Sequence, residues 1–308
     1  MTAFATLAKL VEPLSLDEFL GEYYDRRPIH LPGSPERSRS LLTHERIASL
    51  LRDGDEASGS VISFPLPTEG AAEDPAAAYT AYIDAGYPVI LNSPRGASSE
   101  IDRICTDLGR ALQAHVWPNV YATGTAGAPL NIHFDLHDVL VVQVEGEKDW
   151  RISSLRADRP LDVPEMRPTA EVAIEAMREK ALASVAMTFT VKPGDVVYIP
   201  RGQFHMATTP RGRSLHVTFA IRPLSGYDLA QALCRLALSD PKLRDYLPNL
   251  DQDSANEQTH DRLAEFKDRL KELLDGPNLA QALAEVRAEL IARSNGHGDT
   301  QAFPQSDH

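Results

Sequence analysis

Hydrophobic and polar positions change their period along the chain, and the changes divide it into three regions. The middle region, about residues 119–223, carries short apolar runs separated by Gly, Pro and Asp. These runs predict strands at Val120–Thr123, Val139–Val144, Trp150–Ile152, Thr188–Val191, Val196–Ile199 and Leu215–Ile221. Many short strands joined by tight turns are typical of a sandwich or a small barrel. A helical stretch at Glu171–Leu182 lies in an insertion of about residues 157–186.

The flanking regions favour helices. Before Trp117, a capping-box spacing at Ser15 predicts one helix, and apolar residues three and four apart from Ile101 to Leu112 predict another. After about Gly226, leucines recur at helical spacing in three segments, and Pro277 separates the last two. The chain is therefore expected to combine a β-rich centre with helical ends.

Composition and charge narrow the class of protein. No apolar run approaches the roughly 20 residues that a membrane span requires, and the N-terminus lacks the features of a secretory signal. Two cysteines, Cys105 and Cys234, lie in separate predicted helices, which favours a reducing cytoplasm over a disulfide design. The net charge of −13 argues against direct nucleic-acid binding. It suits a basic protein partner, but an ordinary solvated acidic surface accounts for the charge without one.

The residues with the clearest chemistry are His133 and Asp135, on either side of Phe134. In an extended strand these two positions face the same side. With a later His from a facing strand, they could form the 2-His-1-carboxylate triad that holds non-haem Fe(II) and leaves open coordination positions. The same ligand types would also accept Zn, Mn, Co or Ni, so they do not fix the metal.

Two downstream histidines compete for the third ligand position. His205 follows a turn at Pro200-Arg201-Gly202, which can aim a side chain into a barrel mouth, whereas His216 lies inside the next predicted strand. We therefore predict His205 as the ligand and His216 as an interior residue near the site. His137 would share a face with His133 and Asp135, but the run is too long for one octahedral centre. His137 is expected at the mouth of the barrel.

Three blocks of sequence resemble the JmjC-type ribosomal oxygenases, which are cupin-like protein hydroxylases. The blocks are His133–Asp135, Val142–Arg151 and Lys192–His205, and Leu16–Leu31 and Leu215–Thr218 extend the resemblance to about residues 10–225. It implies an α+β fold with a double-stranded β-helix (jelly-roll) core, an α/β lead-in and a helical dimerisation region. The corresponding predicted boundaries are residues 1–117 for the lead-in, 118–225 for the core, 226–295 for the helical region and 296–308 for a disordered tail.

The resemblance also assigns roles to individual residues. His133, Asp135 and His205 match the iron ligands, and Lys148 matches the basic residue that pairs with the distal carboxylate of 2-oxoglutarate. A dianion that enters a barrel needs such a buried cation. The local sequence alone, Glu147-Lys148-Asp149, predicts an exposed hairpin turn instead. The remaining matches to the co-substrate pocket are Asn119, Tyr121 and Thr218.

The implied activity is Fe(II)- and 2-oxoglutarate-dependent hydroxylation of a His or Arg side chain in a protein, with a ribosomal protein as the implied substrate. A cytoplasmic homodimer is expected, without membrane or direct nucleic-acid partners. Family members usually continue into a winged-helix-like module, which this chain is not expected to include. One alternative is a hydroxylase of a peptide natural product or small molecule. The other is a non-catalytic cupin-like metal-binding module, in which Lys148 would face solvent.

Overall fold

A computed structural model describes most of the chain as two compact units, residues 1–222 and residues 223–300. The described residues are 3–53, 60–63, 74–94, 96–124, 131–163, 166, 171–246 and 257–294. The predicted disordered tail, residues 296–308, lies outside them. None of the described helices combines the length and apolar character needed to cross a lipid bilayer.

The first unit mixes helices with strands. Its described helices are α1 Ala3–Val11, α2 Leu16–Glu18, α3 His44–Asp53, α4 Pro75–Asp84, α5 Ser99–Leu112 and α6 Glu171–Ala183. Its described strands are β1 Ile29–Leu31, β2 Ser60–Ser63, β3 Val89–Asn92, β4 Ala114–Thr123, β5 Asp138–Glu145, β6 Lys148–Arg156, β7 Val185–Val191, β8 Val196–Ile199, β9 Gln203–Thr208 and β10 Ser214–Pro223. A π-helical turn, Phe19–Tyr23, continues α2.

The strands form two sheets that face each other. Seven strands follow the order β1-β8-β5-β10-β4-β3-β2, and three follow the order β7-β6-β9. Apolar side chains of β5, such as Val139 and Val141, pack with Trp150 and Ile152 of β6 in one buried cluster. Helices and antiparallel sheets share this unit, which confirms the predicted α+β class.

The large sheet is buried on its other face as well. Leu140 and Val142, which alternate with the inward residues of β5, belong to a second buried cluster together with residues of α1 and α5. A strand that is covered on both faces needs apolar residues at successive positions. This explains the nearly continuous apolar run from Val139 to Val144.

The N-terminal segment is tied to the barrel through β1. Ile29 pairs with Tyr198, and Leu31 pairs with Val196, so β1 covers the outer edge of β8. His30 stacks on Phe189 with 4.5 Å between ring centroids, and its Nε2 lies 3.0 Å from a carboxylate oxygen of Asp195. These contacts make the lead-in part of the same compact unit as the strands.

One boundary and one strand differ from those that the sequence predicts. Strand β4 begins at Ala114, so the predicted limit of the lead-in at residue 117 falls inside a strand. Strand β9 is absent from the predicted set, because only Thr208 among its six residues is β-branched. Its edge position in the small sheet and its pairing with β6 hold it extended instead.

The second unit is helical, as predicted. It contains α7 Gly226–Ala237, α8 Glu257–Leu274 and α9 Pro277–Ser294. Helix α7 begins at a reciprocal capping box between Ser225 and Asp228. The buried cluster of this unit includes Ala232 and Leu233 of α7 and Ala282 and Val286 of α9. Pro277 starts α9, where its missing N–H costs nothing.

Asp138, at the start of β5, joins three segments of the first unit and offers a stability test. Its carboxylate accepts hydrogen bonds from the Tyr198 hydroxyl at 2.9 Å and from the Arg201 backbone N–H at 2.8 Å. In Asp138→Asn an N–H₂ group replaces one of the two accepting oxygens. One of the two donors then faces another donor, and its hydrogen bond is lost. We expect a loss of about 1–3 kcal/mol in the free energy of unfolding. Urea unfolding of the variant measures this, with the exposed Asp158→Asn as control; equal midpoints for both would contradict the expectation.

Candidate metal centre and adjoining pocket

Backbone hydrogen bonds bring the predicted metal ligands together. His133 and His205 form an antiparallel bridge, in which the His133 N–H donates to the His205 carbonyl at 3.0 Å and the reverse bond measures 2.8 Å. The Asp135 carbonyl accepts a hydrogen bond from the Gly202 N–H at 2.8 Å. The segment that precedes β5 is thereby fixed to β9 and to the turn before it.

The three side chains converge at a spacing that suits one metal ion. One ligand atom each from His133, Asp135 and His205 lies within 4.8 Å of the others. His205 Nε2 lies 3.5 Å from an Asp135 carboxylate oxygen, and the two imidazole centroids are 4.5 Å apart. Within the described part of the chain, this is the one cluster of His, Cys, Asp or Glu with such spacing.

Hydrogen bonds set the tautomer of both imidazoles. His133 Nδ1 lies 2.9 Å from the Asn131 carbonyl oxygen, and His205 Nδ1 lies 2.9 Å from the Gln203 carbonyl oxygen. A carbonyl only accepts, so each Nδ1 carries the proton and each Nε2 presents a lone pair. Burial, then the neighbouring His205, lowers the pKa of His133, which keeps that ring neutral. The donor set therefore fits a divalent cation.

The local backbone differs from the predicted strand. His133 takes part in a single isolated bridge, and Asp135 lies in irregular chain before β5. The two side chains converge because hydrogen bonds anchor the backbone at both positions, not because of strand alternation. His137 packs against Trp117, with 4.9 Å between centroids, and is not part of the cluster. His216 is buried on β10 and stacks on Tyr121, with 4.8 Å between centroids.

Lys148 is buried, with 4% of its surface exposed. The exposed hairpin turn that its acidic neighbours suggest is wrong, because β6 begins at Lys148 and pairs on both sides with strands of the small sheet. Its Nζ lies 5.9 Å from the Tyr121 ring centroid. Among the described residues it has no acidic partner, and burial lowers its pKa to about 7. An unpaired buried cation is costly unless an anion joins it.

Lys148 and the metal ligands line the same cavity. Tyr121 and Thr218, which the resemblance assigns to the co-substrate pocket, also line this cavity. Asn119 is buried on β4 two residues from Tyr121, but it is not among the lining residues, and its side-chain oxygen accepts a hydrogen bond from the Ser93 N–H at 3.3 Å. The remaining lining residues include Val139, Val141, Trp150, Ala207, Thr208, Thr209 and His216.

Two tryptophans, Trp150 in the cavity wall and Trp117 against His137, are absent from the predicted set. Trp150 lies between Lys148 and the ligands, with its ring 5.9 Å from that of His205. Trp117 contacts His115 and His137, with centroids 4.8 and 4.9 Å away. The alternation of side chains along a strand could have identified both tryptophans. Trp150 is two residues from Lys148, and Trp117 is two residues from Asn119, so each shares a strand face with a predicted site residue.

Residues 91–229 match the family model described as JmjC domain. This stretch, somewhat less than half of the chain, is similar to a JmjC domain. The match runs from within β3 to the first turn of α7 and therefore includes the three clustered ligands and Lys148. The likeness to the JmjC family and the cupin-like double-stranded β-helix, both expected from the sequence blocks, are confirmed.

Proteins that are similar to this chain in sequence carry the names of hydroxylases and oxygenases. The bifunctional lysine-specific demethylase and histidyl-hydroxylase NO66 of Dictyostelium discoideum is 26% identical over 227 residues, which is 70% of this chain and 42% of that protein. Ribosomal oxygenase 2 of Bos taurus is 34% identical over 132 residues, which is 42% of this chain and 26% of that protein. The chain spans less than half the length of these relatives.

Solved structures share the fold around the JmjC domain. The X-ray structure of Escherichia coli ycfD aligns with a TM-score of 0.58 at 17% identity, over 90% of this chain and 72% of that one. A structure of YcfD, a ribosomal oxygenase from Escherichia coli, in complex with cobalt and 2-oxoglutarate aligns with a TM-score of 0.56 at 16% identity, over 90% and 72%. At this identity the likeness concerns the fold.

Proposed function

We propose that this chain is an Fe(II)- and 2-oxoglutarate-dependent oxygenase that hydroxylates a side chain of a protein. The observation that carries the proposal is the buried Lys148, which has no acidic partner among the described residues and lines the same cavity as His133, Asp135 and His205. A cation in that position suits a ligand that carries one carboxylate to the lysine and chelates the metal with its other end.

The donor set suits the chemistry of this reaction. Two neutral imidazoles and one carboxylate leave open positions on a six-coordinate ion, as non-haem Fe(II) oxygenases require. When bound, iron and 2-oxoglutarate supply the oxidation: one atom of O₂ enters succinate as CO₂ leaves, and the other enters a C–H bond of the substrate. The relative solved with cobalt and 2-oxoglutarate supports the same pair of ligands here.

The protein's own residues would bind and orient the co-substrate. Lys148 would pair with the distal carboxylate, and the Tyr121 and Thr218 hydroxyls would donate hydrogen bonds to it. Asn119 is the fourth contact that we propose. Val139 and Val141 line the same cavity with apolar surface, which limits the water around the metal.

The substrate that we propose is a His or Arg side chain, with a ribosomal protein as the first candidate. Relatives named histidyl-hydroxylase and ribosomal oxygenase support this choice, and the net charge of −13 favours basic protein partners over nucleic acid. A non-catalytic metal-binding module would place Lys148 in solvent, so the buried Lys148 favours the enzyme. Among the described residues, no contact favours a peptide natural product or a small molecule over a protein.

We further propose that the enzyme acts as a cytoplasmic homodimer. Cys105 and Cys234 are not joined by a disulfide, which suits a reducing compartment. The helical unit exposes large apolar side chains, among them Leu238 at 68% and Ile291 at 59% of their surface. Such residues on one unit favour its burial against a second copy.

Anaerobic titration tests the proposed function. Fe(II) and then 2-oxoglutarate are added to the apoprotein, and the visible metal-to-ligand charge-transfer band is recorded. We expect a saturable band that requires both components. Iron that binds without any band on addition of 2-oxoglutarate would show that the domain binds metal for another purpose.

A further inference from the structure

Each segment that carries a metal ligand also carries a phenylalanine beside that ligand. Phe134 separates His133 from Asp135, and Phe204 directly precedes His205. Neither phenylalanine is among the residues that line the cavity. The two rings contact each other instead, with 4.9 Å between their centroids and an angle of 65° between their planes. The ligand segments are therefore joined twice, by the backbone bridge between positions 133 and 205 and by a pair of rings.

The pair of rings lies in a buried cluster to which helix α6 contributes. The cluster contains Ala181, which has 0% of its surface exposed, and Met177, one helical turn earlier on the same face. Its other members are Ile132 before the first ligand, Leu155 of β6 and Met206 of β9. Helix α6 belongs to the insertion between β6 and β7. A segment that is distant in the chain thus shares one apolar cluster with both ligand segments.

The C-terminal end of α6 is fixed to β6 by hydrogen bonds. The Ser184 carbonyl, just after the helix, accepts from the Ser154 N–H at 2.7 Å. The same carbonyl accepts from the hydroxyls of Ser153 at 3.2 Å and Ser154 at 3.1 Å. The Ser184 N–H donates to the Ala181 carbonyl at 3.2 Å. Hydrogen bonds therefore set the position of Ala181 relative to the small sheet, in addition to its apolar contacts.

The full burial of Ala181 couples helix α6 to the metal ligands. Protein interiors are packed as densely as organic crystals, so even one added methylene displaces its neighbours. A side chain larger than alanine at position 181 would meet the cluster that holds Phe134 and Phe204. Each of these rings is adjacent in the chain to a metal ligand. Its displacement would change the distances between the ligand atoms, which lie within 4.8 Å of one another.

We propose that α6 positions the metal ligands, and that Ala181 and Met177 are the residues through which it acts. In this role the insertion sets the affinity for the metal and its coordination geometry, although none of the three clustered ligands lies on it. Groups that only support a ligand change metal affinity 10- to 100-fold when they are lost. The inference rests on the proposed function in one respect, because His133, Asp135 and His205 must bind a metal ion.

Titration with Co(II) tests the positioning role, because the same donor set accepts this ion and its visible spectrum reports the coordination geometry. The full-length protein is compared with Ala181→Leu, Met177→Ala and Met177→Leu. We expect Ala181→Leu and Met177→Ala to bind Co(II) about tenfold more weakly and to change its visible spectrum. Met177→Leu conserves the volume of the side chain and should retain the affinity and the spectrum of the wild type.

A matched control separates positioning from a loss of stability. Leu51→Ala shortens a half-buried side chain of α3 that packs against the large apolar cluster of the same unit and is not part of the cluster around α6. We expect this control to lower the melting temperature of the metal-free protein and to bind Co(II) as the wild type does. Thermal melting checks that each variant is folded, and Met177→Ala decides if Ala181→Leu does not fold. Wild-type affinity and spectrum in the deciding variant, or an equal loss of affinity in Leu51→Ala, would overturn the positioning role.

Calorimetric titration of the Co(II)-loaded wild type with 2-oxoglutarate separates the two proposals. If the wild type binds both components and the deciding α6 variant behaves in the same way, the positioning role is wrong and the proposed function stands. If Co(II) binds more weakly to the α6 variant but 2-oxoglutarate does not bind to the wild type, the proposed function fails and the positioning role stands. If the wild type does not bind Co(II), both proposals fail.

Discussion

Replacing His205 with alanine is expected to lower the affinity for Fe(II) by at least about 100-fold, since loss of a residue that only supports a ligand already costs 10- to 100-fold. The remaining pair, His133 and Asp135, would leave the ion mostly hydrated. The backbone bridge between positions 133 and 205 does not involve the imidazole and should persist. Anaerobic calorimetry with Fe(II), or aerobic calorimetry with Co(II), measures the change.

His260→Ala is the matched control, because His260 is exposed on α8 and belongs to the helical unit. We expect this variant to bind metal as the wild type does. Thermal melting of both variants checks that the fold is intact. Unchanged metal affinity in a folded His205→Ala protein would show that the metal, if any, lies elsewhere.

Lys148→Met is expected to act in two opposite directions. It should weaken binding of 2-oxoglutarate about 30-fold or more, because truncating one partner of a buried, hydrogen-bonded charge pair costs about 2–5 kcal/mol. It should also raise the melting temperature of the ligand-free protein, because a methionine of similar length removes a buried charge that has no acidic partner among the described residues. Calorimetry and thermal melting of the same samples measure both effects.

The pH dependence of stability distinguishes the effect of the buried Lys148 charge from an effect of side-chain packing. The pKa of Lys148 is lowered from 10.5 to about 7 by burial, so between these values the unfolded chain binds the extra proton. The free energy of unfolding of the wild type should therefore rise as the pH increases through this window, and Lys148→Met should lack that rise. Affinity for 2-oxoglutarate should fall above about pH 7, as the amine loses its proton. Identical pH profiles in the two proteins would contradict the assignment.

The cluster of His133, Asp135 and His205 could be predicted from the sequence, because residue types and their spacing leave few candidates for metal ligands. His133 and Asp135 are two residues apart, and the turn before His205 aims it at them. The mechanism that orients them could not be predicted, since the bridge to His205 depends on β9, and β9 lacks the β-branched residues that mark a strand.

Whether a residue is buried was harder to predict than which residues belong to the site. Lys148 has acidic neighbours on both sides, and that local pattern predicts an exposed turn. Its burial depends on β7, β9 and the facing β4, which are distant in sequence. For the same reason, Trp117 looked like the end of the lead-in, whereas β4 begins three residues earlier and places its ring against His137.

The pairing of β1 with β8 limits how the segment that matches the JmjC domain can be isolated. The JmjC match begins at residue 91, which leaves β1 outside it. A fragment cut there would expose one edge of β8, whose four residues, Val196–Ile199, are all buried in the intact chain. Bare apolar edges recruit strands from neighbouring molecules. The lead-in therefore protects the protein from self-association into aggregates, and the smallest soluble fragment should begin before Ile29.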